Sequence, residues 1–254
     1  MSKSYPLVSV IVPVYNAEKF IADTIENVMS QSYGNWELLL VDDNSQDNSI
    51  KIIEKYAAED KRIKLVKQSK NLGAAKARNK GVSIAKGRYI AFLDADDLWH
   101  PDKLTIQVAF AQKSNHPFTF TDYEFMDREG NLTGKRAEVP KRITYAIALK
   151  KSYIFTSTVL IDLQKIHKKH AMMENYKIGE DITTWWRLLD VYGDAYGVQK
   201  ALSYYRRSPG SASANKLLAA KCRWGLYRKH RDFGVVKSTY YFLHYIHNAV
   251  KRRV

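Results

Sequence analysis

Runs of apolar residues alternate with segments of helical spacing along the first part of the chain. Apolar runs of strand length occupy Leu7–Tyr15, Trp36–Ser45, 62–68 and 88–93. The segments between them repeat apolar residues every three or four positions, as in Ile21, Ile25 and Val28, which predicts helices. This series predicts an α/β fold with a mostly parallel central sheet flanked by helices.

Acidic residues follow the strand runs at two places, Val41–Asp43 and Leu93–Asp97. In parallel sheets, ligands bind beyond the carboxyl ends of the strands. Residues i and i+2 of an extended segment point the same way, so Asp94 and Asp96 share a face and Asp97 takes the other. Two carboxylates on one face suit Mg²⁺ or Mn²⁺, with phosphate oxygens as further ligands. The alternative, which is strongest for Asp97, is that these acids cap the next helix or end the strand in solvent.

Composition and charge narrow the functional classes. Hydrophobic residues make up 45% of the 254 residues, as in globular proteins. Cys222 is the single cysteine, which excludes an intramolecular disulfide framework and favours a reducing compartment. The formal net charge is +15, and residues 216–254, with ten Lys or Arg and one Asp, carry nine of these charges. Because the basic excess does not surround the acids, we expect no nucleic-acid ligand.

Three blocks of sequence carry a family resemblance. They are VSVIVPVYNAEKFIADTIENVMSQSYGNWELLLVDDNSQDNS, NLGAAKARNKGVSIAKGRYIAFLDADDLWHPDKL and GEDITTWWRLL. In this order, over about Pro6 to Ser213, the chain resembles glycosyltransferase family 2 of the bacterial single-addition type, which has the GT-A fold. The resemblance implies a catalytic domain over residues 1–215 and a basic, aromatic helical tail over 216–254. Within the domain, residues to about 104 would bind the nucleotide-sugar, and residues 105–215 the acceptor.

The resemblance implies a donor site at the first strand-to-helix turn. The turn Pro13–Asn16 would hold the nucleobase, with the ring of Tyr15 stacked on it. Asp43 would accept a hydrogen bond from uracil N3–H. The preference for a UDP-sugar over a dTDP- or GDP-sugar rests on this contact alone, and thymine presents the same N3–H. Arg78 would contact the base or the diphosphate, or else form a salt bridge on the helix surface. Asp42 would be a structural partner or a minor contact.

The same resemblance assigns the metal and the general base. Asp96 would bind Mn²⁺ or Mg²⁺ directly, and Asp94 would contact the ribose or a water on the metal. The cation would neutralise the departing nucleoside diphosphate. Asp181, with Glu180 beside it, would take the proton of the acceptor hydroxyl. Similar enzymes mostly invert the anomeric configuration in one displacement.

Further residues of the second half are candidate contacts. Trp185, four residues after Asp181, would form a platform for the acceptor sugar or pack in the core. Arg187 would bind the diphosphate or lock its helix. Arg206 and Ser211 resemble a loop that closes over the diphosphate.

The implied function is the metal-dependent, inverting transfer of one sugar from a UDP-sugar to a saccharide hydroxyl of a lipid-linked cell-surface glycan intermediate. The Gln-x-x-Arg-Trp pattern of processive relatives is absent, since the order here is Trp-Trp-Arg-Leu. Two alternatives stay open. A sugar-phosphate nucleotidyltransferase would have a glycine-rich basic loop after the first strand, whereas the first glycine here is Gly34. A non-catalytic nucleotide-sugar-binding relative is opposed by the presence of Asp96 and Asp181.

The tail interleaves basic and aromatic residues near helical spacing, which predicts amphipathic helices on an anionic membrane surface. Its apolar positions are Leu218, Trp224, Leu226, Tyr227, Tyr241, Phe242, Tyr245, Ile246 and Val250. The alternatives are packing of this stripe on the catalytic domain, or an interface with a second subunit. We identify no signal peptide and no membrane-spanning run. We therefore expect a cytoplasmic protein, bound peripherally to the cytoplasmic face of the cell membrane.

Overall fold

The computed structural model of the chain describes residues 5–174, 176, 179–207 and 216–251. Its first part alternates strands and helices as the sequence pattern predicts: β1 (Val8–Val14), α1 (Ile21–Met29), β2 (Trp36–Asp42), α2 (Ser49–Glu59), β3 (Ile63–Lys67), α3 (Ala74–Ile84) and β4 (Tyr89–Phe92). All seven residues of β2 are buried, as expected for a strand that is covered on both faces of a parallel sheet.

The second part is less regular. It contains β5 (Leu98–Trp99), α4 (Lys103–Ser114), β6 (Phe118–Met126), β7 (Leu132–Ala137), β8 (Arg142–Ile143), α5 (Tyr145–Lys150), β9 (Leu160–Asp162), α6 (Glu180–Tyr192), β10 (Ala195–Arg206), α7 (Lys216–Gly225) and α8 (Val235–Lys251). Short 3₁₀ turns at Thr156–Thr158 and Lys168–Ala171 precede β9 and α6, and a π-helical turn at Leu226–His230 follows α7.

One sheet runs through the molecule in the order β3-β2-β1-β4-β9-β6-β10-β5, with β7 paired to β6 and β8 to β10. Strands β1 to β4 are parallel. Strand β9 is antiparallel to both β4 and β6, so β6 runs in the same direction as β4, and β10 is parallel to β6. The carboxyl ends of β1, β2, β4, β6 and β10 therefore lie along one edge of the sheet.

Hydrophobic cores fill both faces of the sheet. One core joins residues of β1, β2 and β4 to the apolar side of α1, where Ile21, Ile25 and Val28 are buried. The other contains residues of β6 and α6, including Phe118, Phe120 and Trp186. The α/β fold with a mixed, mostly parallel sheet agrees with the sequence pattern.

The tail contains two helices, α7 and α8, and part of its apolar stripe packs on the rest of the molecule. Leu226, Tyr227 and Phe233 are buried in the second core. The ring of Tyr227 stacks on Trp186 with centroids 5.4 Å apart, and its hydroxyl donates a hydrogen bond to Leu149 O at 2.6 Å. Tyr241 and Phe242 pack against the same core. The sequence pattern had left this packing open.

Other apolar residues of the tail face solvent. Exposed apolar side chains are those of Leu217, Leu218, Val235, Val236, Tyr240, Leu243 and Ile246. Only Leu218 and Ile246 of this set belong to the stripe read from the sequence, and the side chain of Val250 lies outside the described part of the chain. Within the residues described, no helix combines the length and apolar character needed to span a bilayer.

Candidate active site

A cleft of about 550 Å³ opens at the carboxyl ends of β1, β2 and β4. The six residues that the resemblance assigned to the donor site all line it: Pro13, Tyr15, Asp43, Arg78, Asp94 and Asp96. Their convergence follows from the parallel strands, which bring three separate loops to one edge of the sheet.

The turn after β1 presents an aromatic ring to the cleft. Tyr15 is 52% exposed, so a face of its ring is open to a ligand. The turn is fixed from behind: Asn16 N donates a hydrogen bond to Ser45 Oγ at 3.0 Å, and Asn16 Oδ1 accepts one from Gln46 N at 2.8 Å. These bonds tie the turn after β1 to the turn after β2, so the ring sits on a rigid support.

Asp43 is a buried carboxylate that shapes the cleft. It is 3% exposed, and it accepts hydrogen bonds from Gln68 Nε2 at 2.6 Å, Leu72 N at 2.7 Å and Gly73 N at 2.7 Å. Gly73 has a φ of +88°, a conformation that favours glycine. Asp43 thus anchors the loop leading into α3. Recognition of a base by this carboxylate stays a prediction.

Asp42 lies behind the cleft wall. It is 1% exposed, and its Oδ2 accepts a hydrogen bond from Ser45 N at 3.1 Å. It is not among the residues that line the cleft. Of the two roles left open for it, the structure favours the structural one.

Arg78 forms a buried ion pair that connects two parts of the site. It is 6% exposed, and its guanidinium lies 2.6 Å from Asp94 Oδ1 and 3.3 Å from Glu180 Oε1. Burial lowers the pKa of Arg78, but these carboxylates outweigh that effect and raise its pKa above the usual value. Arg78 therefore remains a cation that links the end of β4 to the start of α6, and it is no surface salt bridge.

The adjacent acids Asp96 and Asp97 have different environments. Asp96 lines the cleft, and no other described residue donates a hydrogen bond to its carboxylate. Burial raises the pKa of Asp96, and the neighbouring Asp94 raises it further. Asp97 is 1% exposed and accepts hydrogen bonds from Ser157 Oγ at 2.6 Å and Arg206 N at 3.0 Å. Asp97 therefore neither caps the next helix nor ends in solvent; it holds the acidic turn to the sheet.

The carboxylates of Asp94 and Asp96 fit a divalent cation. In the described residues, no cluster of three or more His, Cys, Asp or Glu side chains could hold a metal ion by itself. Asp94 already pairs with Arg78, whereas Asp96 has no such direct ion pair among these residues. A site with two carboxylates and open positions suits Mg²⁺ or Mn²⁺ that shares the oxygens of a diphosphate.

Asp181 begins the second group of functional side chains. It lies in the first turn of α6, beside Glu180, and its Oδ2 accepts a hydrogen bond from Thr156 Oγ1 at 3.1 Å. Burial and the charge of Asp181 raise the pKa of Glu180. Asp181 is not in the cleft lining, and Arg78, paired with Glu180, joins this turn to the cleft.

Residues 155–157 connect these groups, although they match no sequence motif. Thr156 holds Asp181. Ser157 Oγ donates to Asp97 and accepts from Asp94 N at 3.1 Å. Thr156 and Ser157 are both buried. This short polar segment does not follow a strand and has no recognisable pattern. Its role is therefore visible only from its contacts in the structure.

Two candidates in α6 have structural positions. Trp185 is 2% exposed, with its ring centroid 5.5 Å from that of Phe118 and 6.1 Å from that of Phe92. It lies in the core, so the acceptor-platform alternative is wrong for this conformation. Arg187 donates to His170 O and Met172 O and pairs with Glu174 at 2.9 Å. It locks α6 to the preceding segment and does not line the cleft.

Arg206 supports the acidic turn from β10. It is 4% exposed, its Nε donates to Asp96 O at 2.8 Å, and its guanidinium lies 4.8 Å over the ring of Phe20. Arg206 thus positions the backbone of the turn; the proposed partner in a closing loop, Ser211, lies outside the described residues.

Comparison with known proteins finds similar glycosyltransferases. The sequence profile described as Glycosyl transferase family 2 matches residues 9–170. The chain is 41% identical over 254 residues to TuaG of Bacillus subtilis (strain 168), covering 100% of both chains; TuaG is provisionally named a teichuronic acid biosynthesis glycosyltransferase. It is 36% identical over 248 residues to the Escherichia coli UDP-Glc:alpha-D-GlcNAc-diphosphoundecaprenol beta-1,3-glucosyltransferase WfgD, covering 97% of this chain and 94% of WfgD.

Solved structures confirm the GT-A fold. S. aureus TarS 1-349 in complex with UDP-GlcNAc superposes with a TM-score of 0.69 at 19% identity, covering 94% of this chain and 71% of that one. The mannosyltransferase PcManGT from Pyrobaculum calidifontis, in complex with GDP-Man and Mn²⁺, has a TM-score of 0.69 at 17% identity, with 94% and 70% coverage. The sequence matches set aside the nucleotidyltransferase alternative. Because the profile matches more than half of the chain, and both relatives are more than 30% identical over nearly their whole length, the chain belongs to glycosyl transferase family 2.

Proposed function

We propose that this glycosyltransferase moves one sugar from a UDP-sugar to a saccharide hydroxyl of a lipid-linked glycan intermediate, with inversion and with the help of Mn²⁺ or Mg²⁺. The observation that carries the proposal is the cleft, where an exposed tyrosine ring, a buried arginine and two carboxylates converge. The name of WfgD and the UDP-GlcNAc bound to TarS support a uridine donor, and the name of WfgD supports a lipid-linked acceptor.

In the donor half, the nucleobase stacks on Tyr15 in the turn that Pro13 begins. Asp94 and Asp96 would hold the cation, which would supply a Lewis acid for the diphosphate. The complex of PcManGT with Mn²⁺ supports this choice of cation. Arg78 keeps Asp94 in place through its ion pair, and Arg206 fixes the backbone at Asp96.

In the transfer step, the acceptor oxygen forms a bond to the anomeric carbon as the bond from that carbon to the diphosphate oxygen breaks. The acceptor proton passes to Asp181, and the electron pair leaves with the nucleoside diphosphate. Thr156 fixes the orientation of the Asp181 carboxylate. A single displacement of this kind inverts the anomeric configuration and needs no covalent intermediate.

The test is a panel of nucleotide-sugars assayed for nucleoside diphosphate release with Mn²⁺, Mg²⁺ or EDTA. Acceptors are a lipid-linked sugar diphosphate and free saccharides. We expect release with a UDP-sugar and a divalent cation, stimulated most by the lipid-linked acceptor. Equal activity in EDTA would contradict metal dependence, and preference for a GDP- or dTDP-sugar would contradict the donor.

The proposal includes cytoplasmic localisation, with the tail resting on the cytoplasmic face of the membrane. The tail carries exposed apolar side chains, including Val236 and Leu243, and the exposed cations Lys221, Lys229 and Lys237. Side chains of this kind insert into the headgroup region, and each nearby cation adds about 1 kcal/mol on anionic lipid.

Liposome flotation tests this contact without removing the tail, since truncation would uncover the core around Tyr227. Val236→Glu and Leu243→Glu should abolish flotation with anionic vesicles at low salt. Val191→Glu is the matched control, because Val191 is an exposed apolar residue of α6 that is 56% exposed. Unchanged flotation of the tail variants, or a loss of dimer on sizing with no effect on flotation, would overturn the membrane contact.

A further inference from the structure

Four aromatic side chains form a cluster at the carboxyl ends of β6 and β10. Tyr123 and Phe125 stand two residues apart on β6, and Tyr205 on β10 is the register partner of Phe125. Phe155 completes the cluster, with its ring centroid 4.7 Å from that of Tyr205 and 5.1 Å from that of Tyr123. These strand ends lie on the same edge of the sheet as the acidic turn.

The cluster is not part of either core. All four rings are partly exposed, and they are absent from the residues that make up or pack against the two cores. Adjacent aromatic rings that remain in contact with water offer an apolar surface on which the C–H face of a sugar ring can pack. Their mutual packing holds the rings in place before a ligand binds.

The cluster is connected to the proposed base. Phe155 precedes Thr156, whose hydroxyl holds Asp181 at 3.1 Å. On β10, Tyr205 precedes Arg206, which donates a hydrogen bond to the backbone of Asp96. A sugar on the cluster would therefore rest on residues adjacent in sequence to those that hold both the base and the metal-binding turn.

Arg207 adds a cation at the rim of the cluster. It is exposed, its guanidinium lies 4.0 Å from the ring centroid of Phe125, and its backbone N–H donates to Met126 O at 3.1 Å. Stacking on the ring fixes the plane of the guanidinium, and a planar guanidinium binds phosphate oxygens well.

We propose that Tyr123, Phe125, Phe155 and Tyr205 form the platform for the acceptor sugar, and that Arg207 binds the phosphate attached to that sugar. This inference rests on the proposed function and specifies its acceptor class as a sugar diphosphate. It also replaces Trp185, which is buried, as the aromatic acceptor contact.

The experiment compares acceptor kinetics in platform variants of the full chain. The acceptors are GlcNAc diphosphate with an alkyl chain and the alkyl GlcNAc glycoside without the diphosphate; the donor is UDP-glucose. Phe125→Leu and Tyr205→Leu should raise the KM for both acceptors by about 10-fold, while donor KM stays within about 2-fold. Tyr205→Phe keeps the ring face and should retain the wild-type KM.

Matched controls separate stacking from folding. Tyr196→Leu removes a partly exposed tyrosine at the other end of β10, where it stacks on His116, and should leave the acceptor KM unchanged. Arg207→Gln should raise KM by about 10-fold for the diphosphate acceptor alone. Arg62→Gln removes an arginine that lies 3.8 Å over the ring of Trp36 at the far side of the sheet. This variant should change the KM for neither acceptor.

The outcomes distinguish the two proposals. Wild-type transfer with unchanged acceptor KM in Phe125→Leu and Tyr205→Leu would overturn the platform and leave the proposed function intact. A raised donor KM in Arg207→Gln would place this residue at the donor diphosphate and overturn its assigned role. Absence of sugar transfer by the wild type from every UDP-sugar of the panel to any acceptor would overturn both. If a leucine variant does not fold, Phe155→Leu replaces it, with the same KM criterion.

Discussion

The acidic turn after β4 and the aromatic cluster at the ends of β6 and β10 share one edge of the sheet but are built differently. The acidic turn takes its charged groups from one short segment, residues 94–97, with partners from several elements. The aromatic cluster draws its rings from three segments between Tyr123 and Tyr205. The first region therefore depends on local chain geometry, and the second depends on how distant strands are placed side by side.

The two regions also differ in what they offer a ligand. The acidic turn offers oxygen ligands and a nearby guanidinium, which suit a cation and a diphosphate. The cluster offers apolar ring faces with a cation at the rim, which suit a sugar carrying phosphate. Residues 155–157 join the regions, so disturbance of one region is expected to reach the other through this segment.

The largest effect should come from Asp96. Asp96→Asn removes a ligand of the cation and should lower sugar transfer by at least about 10⁴-fold, because the leaving diphosphate loses its Lewis acid. The thermal midpoint should stay near that of the wild type, since no other described residue donates a hydrogen bond to this carboxylate. Transfer and metal-dependent donor binding are the measurements.

Asp97→Asn is the matched control, one residue away in the same turn. Because Asp97 accepts buried hydrogen bonds from Ser157 and Arg206, its replacement should lower stability by about 1–3 kcal/mol. Retention of full activity by Asp96→Asn, or an equal loss of stability in both variants, would contradict the division of roles between the two acids.

The next largest effect should come from Asp181. Asp181→Asn keeps the shape of the side chain but cannot take a proton, so turnover should fall by roughly 10²–10⁴-fold. Donor affinity, measured by calorimetry with a non-hydrolysed UDP-sugar, should remain unchanged. A collapse of donor binding with unchanged turnover per bound donor would show that Asp181 binds the donor and that the base lies elsewhere.

A third prediction concerns Lys103, a buried residue whose contacts lead to the segment that joins the two regions. Its Nζ donates to Gln107 at 2.6 Å and lies 4.3 Å over the ring of Trp99, and Gln107 in turn donates to Thr158 O at 3.0 Å. Burial lowers the pKa of Lys103 to about 7. Between this value and the unfolded pKa of about 10.4, the unfolded chain binds more protons, so stability rises with pH.

The free energy of unfolding, measured with denaturant, should therefore gain about 2 kcal/mol between pH 7 and pH 9 from this residue. Lys103→Met should remove that gain. Lys113→Met, at an exposed position of the same helix, serves as the control and should leave the slope unchanged. A parallel pH dependence in the wild type and Lys103→Met would contradict a neutral buried lysine.

The smallest effect is expected at Thr156. Thr156→Val removes the hydrogen bond that orients Asp181 and should lower kcat by about 10-fold, with donor affinity unchanged. Thr156→Ser retains the hydroxyl and should restore most of the activity. If valine and serine both behave like the wild type, the contact at 3.1 Å does not position the base.

Much of the donor half could be predicted from the sequence. Strand runs such as Trp36–Ser45 are recognisable because burial on both faces requires a continuous apolar run. The placement of Asp43 and Asp96 at one edge followed from the direction of parallel strands. Even here the sequence did not show that Asp43 accepts hydrogen bonds from Gln68, Leu72 and Gly73.

What the sequence by itself determined is the order of the first strands and helices, the family, and the residues that converge on the cleft. Only the tertiary structure decided that Trp185 is buried, that Tyr227 of the tail enters the core while Val236 does not, and that Phe155 joins rings from β6 and β10. The physical reason is the distance along the chain over which each property is determined. Periodicity and strand direction are local properties, whereas the exposure of a given aromatic ring depends on elements far away in the chain that cover it or leave it open.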